Sequence, residues 1–294
     1  MKYLYIISFI FCLNAASGQK TLDIPSSDIV NGFLENLPAT LEKFGLEDLR
    51  ESTDSLNVRI WRPQEIFTLK IAASITCKHK YYTFSMPNGD YTLIDDKPII
   101  YTSDFSENIS QQLLDLLVYD NLATLKDDTN RGMDGYYVIL EIATSKTYKV
   151  VSYWSPKETR SKDCAKVVEI LQAIRKEFDS DILWTNFLNT LKPGEYLSGM
   201  SYITVDNLPE NNIEKTDFYY STENIIRNRF TITPDTNHTD YPLILINNKR
   251  SNLADLNLYT QKDILSFNTI SADDSMRYIY GTRAENGVVL VFTK

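Results

Sequence analysis

The spacing of apolar residues changes several times along the chain, and each change of period predicts a different element. Residues 28–49 carry apolar side chains three and four positions apart, which predicts a helix interrupted by Pro38. Residues 54–62 and 65–73 then alternate apolar with polar positions, which predicts two strands, and residues 81–86 predict a third. The N-terminal part of the chain therefore combines one helix with several strands.

The middle of the chain repeats this mixture. A helix is predicted from Ser106 or Ser110 to about Leu125, and a second helix with an apolar stripe is predicted from Ser161 to Phe178. Between them, residues 135–154 are rich in β-branched and aromatic residues and predict a hairpin. Because strands and helices do not alternate regularly, we predict an α+β fold: an antiparallel sheet with two or three helices, then a small αβ module.

The first residues predict export. Lys2 precedes an uncharged apolar run, residues 3–13, which has the length of a secretory signal core, about 7–15 residues, and is too short for a transmembrane helix of about 20. Small residues at Ala16 and Gly18 predict cleavage before Gln19. A short membrane anchor is disfavoured by the length of the run, and a lipid anchor on Cys12 by the bulky residue before it.

Composition narrows the classes of partner. The net charge is −9, and it becomes −10 when Lys2 leaves with residues 1–18. Nucleic acids and anionic membranes attract basic patches, so neither is expected as a partner. No later segment is apolar enough to span a membrane, and we expect a protein that is soluble or peripheral after cleavage.

Two cysteines remain after cleavage, Cys77 and Cys164. An oxidising compartment would permit a disulfide between them. The alternative is that both are buried thiols acting as small apolar side chains. Cys164 favours the second alternative, because it lies on the predicted apolar face of its helix.

Known catalytic signatures are not found, and no cofactor or metal site is predicted. The two histidines, His79 and His238, lie far apart, and no glycine-rich phosphate loop or nucleophile elbow is present. The adjacent acids Asp95-Asp96, Asp127-Asp128 and Asp273-Asp274 are typical of solvated turns. Glu141 lies in an apolar strand, where it is either a buried carboxylate with a shifted pKa or, the favoured interpretation, the outward residue of a strand with one wet face.

Aromatic residues recur in adjacent pairs: Tyr81-Tyr82, Tyr136-Tyr137, Tyr153-Trp154 and Tyr219-Tyr220. In a strand the two rings of such a pair point to opposite faces, so each pair is expected to place one ring in the core and one outside. Exposed rings can stack on sugars or anchor a protein interface, but the favoured explanation is ordinary β-propensity.

The C-terminal residues 241–294 carry a sequence pattern that the rest of the chain does not show. Residues 241–248 predict an apolar strand that ends in an Asn247-Asn248 turn, and residues 262–268 lead into another strand. Residues 276–294 predict a helical turn, a polar loop, an Asn286-Gly287 turn and a terminal strand. The order Tyr280-Gly281, Arg283, Asn286-Gly287 and then a run of valines resembles the end of the plug domain of TonB-dependent outer-membrane receptors of Bacteroidota.

The resemblance covers residues 241–294 and implies a plug-like αβ module. The sequence shows no clear first half of a plug domain and no TonB box. It also predicts none of the strands of a membrane barrel, so a transporter is not expected. Tyr280, Gly281, Arg283, Asn286 and Gly287 are expected to hold the fold of this module rather than to form a binding site. The expected organisation is a signal peptide at 1–18, an α+β domain at 19–200, a linker and lead-in at 201–240, and the plug-like module.

Three functions follow from these observations. The first is an exported envelope protein of the binding or interaction type, placed in the periplasm or at the outer membrane, with an envelope protein or a glycan as partner. The second is an exported hydrolase that uses carboxylates, for which Glu141 is the candidate. The third is a structural or vestigial relative of a receptor.

Overall fold

The computed structural model describes residues 20–86, 94–119, 122–199, 201–208, 214–272, 278–280 and 284–294. The predicted signal peptide lies outside the described residues. The fold is mixed α+β with mainly antiparallel strand pairs, as predicted. The chain forms two compact units, of which the first comprises the residues up to Lys80 with Thr102–Glu177, and the second comprises Tyr81–Tyr101 with Phe178–Lys294.

The strands of the first unit follow the order β1-β7-β6-β2-β3-β4. The pairs β2–β3, β2–β6 and β6–β7 are antiparallel, whereas β1 lies parallel to β7. Strands β4 and β5 pair with each other, and both contribute residues to each unit. The bounds are β1 Thr21–Asp23, β2 Leu56–Arg62, β3 Glu65–Ile71, β4 Ile75–Ser85, β5 Ile99–Asp104, β6 Tyr137–Ala143 and β7 Thr147–Trp154.

Three α-helices belong to the first unit among the described residues: α1 Asp28–Phe44, α2 Glu107–Tyr119 and α3 Lys162–Glu177. Helix α1 begins at Ser27, whose side chain accepts a hydrogen bond from the Val30 amide. It continues through Pro38 and ends earlier than predicted, because Gly45 adopts φ 60° and its amide bonds back to Glu42 and Leu41. Its apolar face packs beside β7, where Val30 shares a buried cluster with Tyr148 and Val150.

The second unit contains two groups of strands. The residues of β4 from Tyr81 onward pair with β8 (Gly194–Ser198), and β8 pairs with β9 (Ser201–Val205), both antiparallel. The other group is a four-stranded sheet in the order β11-β10-β13-β12. In this sheet β10 lies parallel to β13, and the other two pairs are antiparallel. Its bounds are β10 Leu243–Ile246, β11 Lys249–Ser251, β12 Ile264–Ile270 and β13 Val288–Thr293.

The segment predicted as a linker contains a helix. After α4 (Ser180–Leu188), helix α5 (Asp217–Phe230) begins at Thr216, whose hydroxyl accepts a hydrogen bond from the Tyr219 amide. Its buried residues Phe218, Tyr219 and Ile226 belong to one cluster with residues of β10 and β13. Helix α5 thus supplies one side of the core of the C-terminal sheet. The compact units divide the chain at Lys80, Tyr101 and Glu177, whereas the predicted boundaries lie at residues 200 and 240.

Candidate functional site

Glu141 is fully buried, so the favoured prediction of an outward-facing carboxylate is wrong. Its Oε2 accepts a hydrogen bond from Trp61 Nε1 at 2.6 Å, and its Oε1 accepts one from the Tyr148 hydroxyl at 2.8 Å. The guanidinium of Arg59, also fully buried, lies 3.4 Å from Oε2 and donates a further bond to the Glu47 carbonyl. Burial, and secondly the Glu141 carboxylate, raise the pKa of the Tyr148 hydroxyl, which keeps it a donor.

This arrangement is an enclosed ion pair rather than a catalytic acid. A substrate could reach Glu141 only if the core around β2, β6 and β7 opened, because Arg59, Trp61 and Tyr148 are themselves buried. Breaking such a pair leaves an uncompensated charge in the interior. Glu141 therefore stabilises the first unit.

The acidic pair Asp127-Asp128 is also structural, although we expected solvated residues. Asp127 Oδ1 accepts hydrogen bonds from the amide and the hydroxyl of Ser152, at 2.7 and 2.8 Å. Asp128 is 8% exposed. Burial alone would raise the pKa of Asp128, but hydrogen bonds from Asn130 and Arg160 outweigh this effect and hold it below its usual range. Asp95 and Asp96 are exposed as expected, and Asp273-Asp274 lies outside the described residues.

Cys77 and Cys164 are both free and buried in the structure, which corresponds to the thiol alternative. Burial raises the pKa of the Cys77 thiol. A thiol that resists ionisation is a poor nucleophile and a poor metal ligand. In the part of the chain that the structure describes, no group of three or more His, Cys, Asp or Glu side chains is arranged to hold a metal ion.

The predicted arrangement of aromatic pairs is seen at three places. Tyr81 is buried and Tyr82 is partly exposed on β4. Tyr153 is buried and Trp154 is partly exposed on β7, as expected for a strand. Tyr219 is also buried and Tyr220 is 57% exposed, but this pair lies on helix α5 and not on a strand. The exposed ring of Tyr220 is therefore explained by helical geometry.

Two of the plug-like motif residues, Gly281 and Arg283, lie outside the described residues, and Tyr280 is partly exposed. Asn286 Nδ2 donates a hydrogen bond to the Thr239 carbonyl at 3.1 Å. Gly287 has φ 96°, and a Cβ atom there would overlap the Phe230 ring and lie 2.8 Å from the Ile270 carbonyl oxygen. Only glycine fits this position, because the turn before β13 packs directly against the end of α5.

The Asn247-Asn248 turn has a comparable role at the other end of β13. Both residues adopt positive φ, 51° and 61°, which a tight hairpin turn requires and asparagine tolerates. The Asn247 side chain exchanges two hydrogen bonds with Thr293, donating to its hydroxyl at 2.8 Å and accepting from its amide at 2.9 Å. The asparagine pair thus forms the β10–β11 turn and ties it to the end of β13.

A polar cleft lies beside the Asn286-Gly287 turn, in the second unit. It consists of two adjoining depressions of about 330 and about 740 Å³, and Asp240, Glu285 and Asn286 line both. Tyr202, which is 43% exposed, lines the smaller depression, and Phe230 lines the larger one. We call this the motif cleft, because the turn of the plug-like motif forms part of its wall.

Asp206 lies at the inner edge of the motif cleft and is 4% exposed. Its carboxylate accepts hydrogen bonds from the amides of Asn207 and Leu253, both at 2.8 Å, and its own amide donates to the His238 carbonyl at 2.9 Å. Burial raises the pKa of Asp206 to about 7, although the two amide bonds act in the opposite direction. Through its backbone amide and its side chain, this one residue therefore joins three segments of the second unit.

Sequence reasoning missed the motif cleft, because most of its wall comes from the segment predicted as a linker. The only signal in the sequence was the density of Asn, Asp and Thr between residues 206 and 237, which was interpreted as a connection. A second cleft, of about 680 Å³, lies between the start of β8 and the β10–β11 hairpin. It is lined among others by Met86, Leu191, Lys192, Tyr196, Leu243 and Arg250, and we call it the β8 cleft.

No helix in the described part of the chain has the length and apolar character needed to span a membrane. Comparison of the chain with protein-family models, with curated proteins and with solved structures gave no match.

Proposed function

We propose that the protein is an exported protein of the bacterial envelope that binds a glycan in its motif cleft, and that it is not itself a transporter. The export signal and the plug-like resemblance of residues 241–294 support a location in the periplasm or at the outer membrane. The motif cleft is the observation that carries the proposal.

The side chains of the motif cleft suit a ligand rich in hydroxyl groups. Asp240, Glu285 and Asn286 offer planar acceptors and donors on both depressions. The half-exposed ring of Tyr202 offers an aromatic face beside them, on which the C–H face of a sugar ring can stack. In a concave site, a few convergent polar groups fix the orientation of a small ligand.

The loop that carries Asp240 is held by its own hydrogen bonds. The Thr233 amide donates to the Thr236 hydroxyl at 2.8 Å, and the Asp240 amide donates to the Asn237 carbonyl at 2.9 Å. A loop that is ordered before binding costs less conformational entropy when the ligand arrives. This order supports recognition by the preformed cleft.

The test is a titration of the mature protein with soluble envelope and dietary oligosaccharides, in which binding is measured by calorimetry and by ligand-observed NMR. We expect Tyr202→Ala and Asp240→Asn each to weaken binding by about tenfold, the size of one lost aromatic or charge-assisted contact. Tyr220→Ala is the matched control, because Tyr220 is exposed on α5 and does not line the cleft. Binding that is equally weakened by Tyr220→Ala, or no binding to any glycan, would contradict the proposal.

The two other hypotheses make different predictions. A carboxylate-dependent hydrolase would need another residue than Glu141, because Glu141 is enclosed by Arg59, Trp61 and Tyr148. A structural relative of a receptor would bind no glycan, and deletion of its gene would leave the envelope unchanged. Affinity capture with defined envelope proteins as bait would distinguish a protein partner from a glycan.

A further inference from the structure

The β8 cleft differs from the motif cleft in its chemistry, and the two share only Thr204 and Leu243 among their lining residues. Its floor is formed by Met86, Leu191, Tyr196 and Leu243, each at most 5% exposed, and Ile99 lies at its mouth with 36% exposure. The Tyr196 hydroxyl donates to the Lys192 carbonyl at 2.6 Å, which holds the turn before β8 against this floor. The cleft has the volume of a site for one small ligand and an interior that is mainly apolar.

Two of the charges on its rim are already neutralised by each other. Arg250 Nη1 on β11 lies 2.9 Å from Glu195 Oε1 on β8, and the Glu195 side chain is 9% exposed. Because each ion compensates the other, this pair closes one side of the cleft without attracting a charged ligand.

A third charge, Asp255, lies on the wall of the cleft and is held by its own hydrogen bonds. Its Oδ2 accepts from the Ser251 hydroxyl at 2.7 Å and from the Asn252 amide at 3.0 Å, as part of a capping box at the start of the 3-10 helix Leu253–Leu258. The carboxylate thus serves the helix terminus.

Lys192 is the fourth charge at the cleft. Its side chain is exposed at the rim, and within the ranges that the structure describes its ammonium takes part in no ion pair or hydrogen bond. The β8 cleft therefore combines an apolar floor with one exposed cation that has no ion-pair partner in the described residues.

We infer that the β8 cleft binds an amphiphile made of one carboxylate and an unbranched apolar chain, with the carboxylate on Lys192 and the chain on the apolar floor. A cation alone would accept any anion, and an apolar floor alone would accept any hydrocarbon. The combination selects for a molecule with both parts.

Calorimetric titration of the mature protein with hexanoate, octanoate and decanoate tests the apolar part of the inference. Each added methylene that reaches the floor is expected to strengthen binding by about fourfold. An affinity that does not change with chain length overturns the inference, and so does the absence of binding to decanoate.

The charge is tested by Lys192→Gln, which is expected to weaken decanoate binding by about fivefold, while Lys192→Arg retains it. Lys249→Gln is the matched control: it removes the same charge from β11, and Lys249 does not line the cleft. Equal weakening by both glutamine variants would show unspecific charge attraction and overturn the inference. Binding to phosphatidylglycerol vesicles without binding to soluble decanoate would overturn it in favour of a lipid surface.

The outcome is independent of the glycan proposal. Neither Tyr202 nor Asp240 lines the β8 cleft, so Tyr202→Ala and Asp240→Asn are expected to leave decanoate binding unchanged. Failure of one site therefore leaves the other testable in the same preparation.

Discussion

Asp206 is expected to make the second unit more stable in mild acid than in mild base. A carboxyl group with a higher pKa in the folded than in the unfolded state binds its proton more tightly when folded. The pKa of Asp206 is about 7 in the folded state, against an ordinary value of 3.8. The stability that protonation provides is therefore gained as the pH falls through 7 toward 4, and lost as the pH rises.

The magnitude follows from these two values. One pKa unit corresponds to about 1.4 kcal/mol, so the full difference has a ceiling of about 4 kcal/mol, of which about 3 kcal/mol develops between about pH 8 and about pH 5. The geometry explains the sign: the carboxylate is 4% exposed and has two amide donors but no cation among its hydrogen-bond partners in the described chain. Two amides offset only part of the cost of a buried charge.

The perturbation is Asp206→Asn, which removes the ionisation and keeps the size of the side chain. Native-state hydrogen exchange of the amides of α5, corrected for the intrinsic rate at each pH, reports the opening free energy of the core that α5 shares with the C-terminal sheet. We expect the wild-type advantage over Asp206→Asn to grow by about 3 kcal/mol from about pH 8 to about pH 5.

The comparison between variants is essential, because other carboxyl groups with lowered pKa values, such as Asp54, destabilise the protein in acid. Asp240→Asn, which removes the same charge from an exposed position of the same cleft, is the control variant. A difference between wild type and Asp206→Asn that stays constant with pH would refute the reasoning.

Three other predictions concern the core and its turns. Glu141→Ala should lower the free energy of unfolding of the first unit by about 3 kcal/mol or more in denaturant titrations, because it leaves Arg59 unpaired in the interior, and a loss below about 1 kcal/mol would contradict an enclosed ion pair. Gly287→Ala should lower the free energy of unfolding of the second unit by about 1–3 kcal/mol, because the position has a positive φ and an added Cβ would overlap Phe230. The control is Gly32→Ala in α1, where an added Cβ meets open space. This change should be neutral or stabilising by up to about 1 kcal/mol in the same assay. Cys77 and Cys164 should react with a thiol reagent at neutral pH only after denaturant is added, and fast labelling of the native protein would show that these thiols are not buried.

The elements that the sequence predicted well are those with a strong local pattern. The hairpin of β6 and β7, helix α3 and the apolar strands β10 and β13 were all predicted near their observed positions. The two asparagine-containing turns were predicted too, because positive φ at Asn247 and Gly287 is a property of those residues themselves. Strands β8 and β9 were not predicted, since the short segment around Gly199 has no long period.

What the sequence by itself determined was the α+β class and the turn chemistry of the C-terminal sheet, because hydrophobic period and backbone preference act between neighbouring residues. Only the tertiary structure decided what surrounds each side chain. Glu141 is buried because residues of β2 and β7 surround it. Helix α5 contributes to the core because its apolar residues pack against β10 and β13. Asp206 acquires its high pKa from burial in the folded second unit, which outweighs the hydrogen bond from the distant Leu253 amide, and such an environment has no local signature in the sequence.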